Sequence, residues 1–255
     1  MGVIVLDPGH GGSQNIGGSD WNHAQSPSGV MEKTLTLDVA RRIRWSLTNG
    51  SGRERAAALG KSLDVFMTRD ADVNLSLDDR AGKAAAYDAD LYLSLHFNGW
   101  NGTVRGTEAY IDRKYMQAKT VLTAGRASPQ EGPGVPSSGL RNLNVAADAA
   151  FAGAIVAAAL SSMQAYDPKC KLRSARYTQA ANGEAYAPPP GVKMAGLGAL
   201  RDVKLGTSSN ACRACLLELE FIDHPDVDRL FNGATGGDLR NALAGALAVA
   251  LVEAL

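Results

Sequence analysis

The chain opens on a short apolar run, Val3 to Leu6, that stops at Asp7-Pro8-Gly9-His10-Gly11-Gly12. Such a run reads as a buried strand, and the Pro/Gly-rich segment after it as a turn that no helix continues through. From Glu32 to Leu47 the period changes: Leu35, Val39, Ile43 and Leu47 recur at helical spacing, with Arg41, Arg42 and Arg44 largely on other faces. This predicts an amphipathic helix. Asp64 to Thr68 reads as a second strand, and Ser76 to Tyr87 as a second helix, with Ser76 as its cap and Asp79 three residues on. Leu91-Tyr92-Leu93-Ser94-Leu95-His96 alternates strictly, so the leucines share one face of a strand while Ser94 and His96 share the other. His96 then stands near the strand's C-terminal end.

Thr107 to Ile111 and Cys215 to Ile222 read as further strands, and Ala146 to Met163 as a long Ala-rich helix packed closely on the sheet. The segments near Pro225 to Phe231 and Asp238 to Leu255 read as closing helices. The pattern breaks at residues 13–31, 113–142 and 167–191, which read as insertions rather than domain boundaries. Strands alternating with helices predict one α/β domain over residues 1–255 with helices on both sheet faces. In such folds polar residues at the C-terminal ends of strands line the site.

A chain of 255 residues that is 45% hydrophobic can bury a sizeable core, which excludes disorder as its main state. Lys plus Arg and Asp plus Glu both number 26, so no overall charge draws the chain to nucleic acid or anionic lipid. No nucleic-acid partner is expected. Ala149 to Met163 is too short to span a bilayer, and no membrane span is expected. The first residues show neither a basic region nor a cleavage site, so no signal peptide is expected in this chain. Three cysteines, Cys170, Cys212 and Cys215, argue against a disulfide-stapled scaffold. The single Cys212-x-x-Cys215 has no second pair at metal spacing, and Cys215 reads as a small buried strand residue.

His10, His96 and Glu218 each stand where a core strand would ordinarily end. Two imidazoles and one carboxylate, drawn from distant segments, suit a catalytic zinc with a fourth position open. Glu32, at the start of the first helix, is either the third ligand or an acid favoured there by the helix dipole. The strand Cys215 to Ile222 carries Glu218 and Glu220, which alternation puts on one face opposite Leu217, Leu219 and Phe221. A carboxylate buried in such a run needs a partner or a task, and a non-ligand base is such a task. Asp7 reads equally as an acceptor for a ligand imidazole and as a turn residue. Arg69 and Arg80 read as scaffold residues paired with carboxylates, and His23 and His224 as exposed loop imidazoles. No histidine stands near the cysteines to activate a thiol.

In order, Asp7 to Gly12, Glu32, Thr68-Arg69, Arg80, Ser94-Leu95-His96-Phe97-Asn98, Gly106-Thr107-Glu108-Ala109-Tyr110 and Leu217 to Ile222 resemble the zinc-dependent N-acetylmuramoyl-L-alanine amidases of the Amidase_3 type. The resemblance covers essentially the whole chain. It implies a six-stranded, mixed, mostly parallel sheet, one zinc held by His10, Glu32 and His96, and Glu218 as catalytic acid and base. It further implies hydrolysis of the amide between N-acetylmuramic acid and L-alanine, with the peptidoglycan glycan strand and stem peptide as partners and the bacterial cell wall as the place of action. Alternatives are a zinc peptidase cutting within the stem peptide and a non-catalytic peptidoglycan-binding module.

The chain departs from that family in three respects. Glu220 stands where relatives carry a small residue, which leaves open which acid acts; two carboxylates in one cleft would raise one pKa by repulsion. Residues 113–142, with a possible helix at Lys114 to Gly125, read as a substrate flap rather than an autoinhibitory plug. No wall-binding repeat is seen, as in a phage endolysin or an excised autolysin domain. Arg201, after Gly196 to Gly198, is the candidate contact for a stem-peptide carboxylate.

Overall fold

The protein is described by a computed structural model over residues 1–112, 145–173, 188–200, 204–205 and 212–255. Its strands are β1 (Gly2–Pro8), β2 (Leu63–Met67), β3 (Leu91–Asn98), β4 (Glu108–Asp112), β5 (Val192–Ala195) and β6 (Arg213–Phe221). Its helices among the described residues are α1 (Glu32–Asn49), α2 (Ser51–Ala58), α3 (Leu77–Ala86), α4 (Val145–Gln164), α5 (Pro225–Asn232) and α6 (Gly236–Ala254). The six strands form one sheet in the order β2-β1-β3-β6-β4-β5. β2, β1, β3 and β6 run parallel, while β4 is antiparallel to β6 and parallel to β5. The expected α/β class with a mixed, mostly parallel six-stranded sheet is the one found.

Alternation divides the core between the two faces. Ile4, Leu6, Leu91, Leu93, Leu95 and Leu217 pack under α1, α4 and α6, whose Leu35, Val39, Ile43, Ile155, Leu243 and Leu247 are buried. Val5, Tyr92, Ala214 and Leu216 point the other way, against Ala81 and Ala84 of α3 and the segment carrying Leu200 and Leu205. On that second face the rows continue as Asp7, Ser94, His96 and Glu218 at the carboxyl ends of the three central strands. Burying the apolar rows, at roughly 25 cal/mol per Å², holds those polar groups in register.

Two elements escaped the sequence pattern. α2 (Ser-Gly-Arg-Glu-Arg-Ala-Ala-Ala) has no apolar stripe and buries only Gly52 and Ala56. β5 is four residues long and follows Pro188-Pro189-Pro190-Gly191. α3 starts as expected: the Ser76 hydroxyl accepts the Asp79 N–H at 3.0 Å. The helix expected at Ala146 to Met163 is found as α4, one residue longer at each end, and its residues 146–164, unlike the shorter apolar stretch Ala149 to Met163, are long and apolar enough to cross a bilayer by length and composition. It lies on β4 and β6 with Phe151, Ala152, Ile155, Val156 and Met163 buried, as a core helix does. Residues 113–142, expected to be a flap, lie outside the described residues, as does most of the stretch 167–191.

Candidate metal centre

The loop after β1 is shaped by two buried arginines. Arg80 donates to the Asp7 carboxylate at 2.8 Å and to the Pro8 and His10 carbonyls at 2.9 Å each. Arg69 donates to the carbonyls of Pro8, Gly9 and Lys33 at 2.8 to 2.9 Å, tying the loop to α1. Arg80 thus has the carboxylate partner expected of it, whereas Arg69 grips backbone instead. Asp7 orients no imidazole: its oxygens accept from Thr68 Oγ1 at 2.6 Å, Ser94 Oγ at 2.8 Å and Arg80. Burial pushes the Asp7 carboxyl upward, but Arg80 and Thr68 outweigh it and hold it well below the carboxylate range.

His10 sits in the left-handed region at φ 62°, and Gly9 before it leaves room for the His96 ring. A Cβ at Gly9 would stand within 2.7 Å of three atoms of that ring. Gly9→Ala is therefore expected to cost ~1–3 kcal/mol as an overpacked site, measured by urea denaturation; wild-type stability would show that the His96 ring is not held against this turn.

The His10 Nδ1–H donates to the Asp20 carbonyl at 2.9 Å, which leaves the Nε2 lone pair facing Glu32 Oε1 at 3.1 Å. His96 Nδ1 approaches the same oxygen at 3.0 Å. Glu32 opens α1 and is 1% exposed; its Oε1 also accepts the Phe97 N–H and its Oε2 the Ala24 N–H. One nitrogen from each imidazole and one carboxylate oxygen lie within 4.8 Å of one another. Three lone-pair donors converging on one point are satisfied together only by a proton or a cation, and this neutral-imidazole and carboxylate set matches zinc. Burial opposes ionisation of Glu32, but in the metal-free protein the hydrogen bonds and positive charge that His10 and His96 supply once protonated overcome it and hold the carboxyl at about 2.

Glu218 lies on β6 opposite His96 of β3 and opposite Glu108 of β4. The residue is half-buried, and its buried Oε2 has no hydrogen-bond partner among the described residues. Burial first, then the negative charges of Glu32 and Glu108, raise its carboxyl well above the ordinary range.

Glu220 does not share this site. The ladder slips by one residue, pairing His96 with Glu218 but Asn98 with Phe221, and such a bulge breaks the alternation that predicted one face for both acids. The Glu220 carboxylate accepts the Gly106 N–H at 2.7 Å and pairs with Arg105 at 3.3 Å. The expected repulsion acts on Glu218, but it comes from Glu32 and Glu108.

Among the remaining candidates, His23 is exposed and its ring stacks on His10 with centroids 6.5 Å apart. His224 is not a free loop imidazole: it caps α5, its Nδ1 accepting the Asp226 N–H at 3.0 Å. The three cysteines are buried and no disulfide links them. Arg201 lies outside the described residues. Sequence reasoning missed the Asp20 carbonyl, a backbone group in an insertion, and the placement of Glu108 across from Glu218, which depends on strand order.

A family model described as N-acetylmuramoyl-L-alanine amidase (Amidase_3) matches residues 4–252. Amidase AmiC of Neisseria meningitidis is 34% identical over 148 residues, covering 56% of this chain and 31% of AmiC. LytC of Bacillus subtilis, also an N-acetylmuramoyl-L-alanine amidase, is 34% identical over 129 residues, covering 50% of this chain and 22% of LytC. The chain thus spans about a third or less of the length of these relatives. The catalytic domain of CwlV, an amidase from Bacillus (Paenibacillus) polymyxa, shares the fold with a TM-score of 0.61 at 19% identity, covering 99% of this chain and 97% of that one. By the match over residues 4–252, the chain belongs to the N-acetylmuramoyl-L-alanine amidase family of the Amidase_3 type.

Proposed function

We propose that the chain hydrolyses the amide between N-acetylmuramic acid and L-alanine in peptidoglycan, with His10, Glu32 and His96 holding one zinc ion and Glu218 moving the proton. This places its action at the bacterial cell wall. The observation that carries the reading is the meeting of the three convergent donors with a carboxyl on the neighbouring strand whose buried Oε2 has no hydrogen-bond partner among the described residues. Bound zinc supplies the Lewis acidity that polarises an amide carbonyl and acidifies water.

The protein's own groups do the rest. The Asp20 carbonyl fixes the His10 tautomer, and backbone N–H groups of Ala24 and Phe97 fix the Glu32 carboxylate. Glu218 Oε2 takes a proton from the attacking water and returns it to the leaving amine of L-alanine. A carboxyl whose affinity for a proton is raised by burial suits both transfers. No covalent enzyme intermediate is involved.

Incubation with purified peptidoglycan, with and without a chelator and with zinc restored, tests the proposal by mass spectrometry. The expected products are intact glycan strands and free stem peptides starting at L-alanine, lost on chelation and regained with zinc. Shortened stems or free amino acids would establish a peptidase instead, and retention on the wall without any cleavage a binding module.

A further inference from the structure

Across this edge of the sheet, the candidate ligands come first, from the loop after β1, the start of α1 and the end of β3, Glu218 follows on β6, and a charged cluster lies beyond it around β4 and β5. Glu108 is directly opposite Glu218 in the antiparallel pair, so the two side chains share a face. The Glu108 carboxylate accepts from Asn98 Nδ2 at 2.9 Å and Tyr110 Oη at 3.0 Å, and it pairs with Lys193 Nζ. Arg173 Nη1 reaches it at 3.4 Å. Lys193 and Glu108 are buried, while the Arg173 side chain is 32% exposed and its guanidinium lies 4.9 Å from the centroid of the Phe221 ring. Two cations thus meet one carboxylate, and the member that reaches solvent carries the excess charge.

We infer that Arg173 forms a subsite for a carboxylate on the peptide side of the substrate. The inference rests on the amidase reading for which bond lies beside Glu218. N-acetylated sugars are uncharged, so only the peptide brings an anion to this wall. The scissile carbonyl faces the ligands and the leaving amine faces Glu218, which directs the peptide over β4 and β5. Strands stand ~4.8 Å apart, so the cluster lies about 5–10 Å past Glu218, the span of one to three extended residues at ~3.5 Å each. A planar guanidinium, steadied against an aromatic face, matches a carboxylate with two parallel hydrogen bonds, and an ammonium does not reproduce that fit.

The test is calorimetric titration of the zinc-loaded protein with two peptides that begin at L-alanine and differ only in a free carboxylate or a carboxamide on the second residue. Wild type is expected to bind the carboxylate form about 10- to 100-fold more tightly. Arg173→Gln binds both alike while remaining folded, as circular dichroism checks, and Arg173→Lys falls between. Equal affinities in wild type, or a preference that survives in Arg173→Gln, would overturn the subsite. An Arg173-dependent preference in a protein that releases no peptide from peptidoglycan keeps the subsite and removes the amidase reading. Peptide release with no preference does the reverse.

Discussion

Glu218→Gln is expected to lower kcat for peptide release by about a thousand-fold, within the ~10²- to 10⁴-fold range of general acid and base catalysis, while the fold and zinc binding persist. Glutamine keeps the shape but can neither accept the proton of the attacking water nor deliver one to the amine. The same change is expected to stabilise the metal-free protein. Burial and the charges of Glu32 and Glu108 raise the Glu218 carboxyl in the folded state, so the fold prefers its protonated form. Ionisation then costs stability as pH rises above the unfolded-chain value of about 4.3, up to the raised folded value. Urea denaturation of chelated protein across that window should show the decline in wild type and a flatter profile in Glu218→Gln. Glu220→Gln, which loses the Arg105 pair and weakens the Gly106 hydrogen bond, should lower stability and keep most of kcat. A Glu218→Gln protein with wild-type kcat beside an inactive Glu220→Gln would reverse the assignment.

That contrast between two glutamates two residues apart marks where the sequence stops being legible. His10, His96 and Glu218 were visible because each interrupts an apolar strand pattern at its end, and the α1 stripe was visible because Leu35, Val39, Ile43 and Leu47 keep helical period. Glu32 was ambiguous for a physical reason: a first-turn acid serves the helix dipole and a metal equally well, and only the family resemblance separated the two. Counting by twos failed at Glu220 because a one-residue slip against β3 intervenes, with no glycine there to announce it. His224 was misread although Pro225 after it is a helix-start signal. The antiparallel insertion of β4 between β6 and β5 leaves no trace in local pattern, and with it went the pairing of Glu108 with Glu218 and the cationic wall beyond. α2 lacks an apolar stripe because it packs through small residues, its Gly52 abutting Ala248 of α6.

Arg80→Leu is expected to cost about 3–5 kcal/mol, the usual loss when one partner of a buried ion pair is removed. Arg80 is 2% exposed and Asp7 1%. Without the guanidinium, the Asp7 carboxylate keeps only hydroxyl donors, Thr68 and Ser94, and the Pro8 and His10 carbonyls lose the donor they share. The pH dependence should change sign at this pair. In wild type the depressed Asp7 carboxyl contributes stability above its unfolded value of ~3.9 that is lost as pH falls. In the variant, burial acts on Asp7 against only the remaining hydroxyl hydrogen bonds and raises it, so acidification from neutral pH relieves the buried charge and narrows the gap to wild type. Urea denaturation at pH 7 and pH 4.5 measures both effects, and a variant within 1 kcal/mol of wild type at pH 7 would refute the role. Adding Asp7→Asn should recover part of the loss, since it removes the stranded charge. Zinc affinity should fall in the single variant as well, because the Arg80 hydrogen bond to the His10 carbonyl fixes the left-handed turn that aims Nε2 at Glu32. The Asp7–Arg80 ion pair is thus a condition of the proposed metal centre.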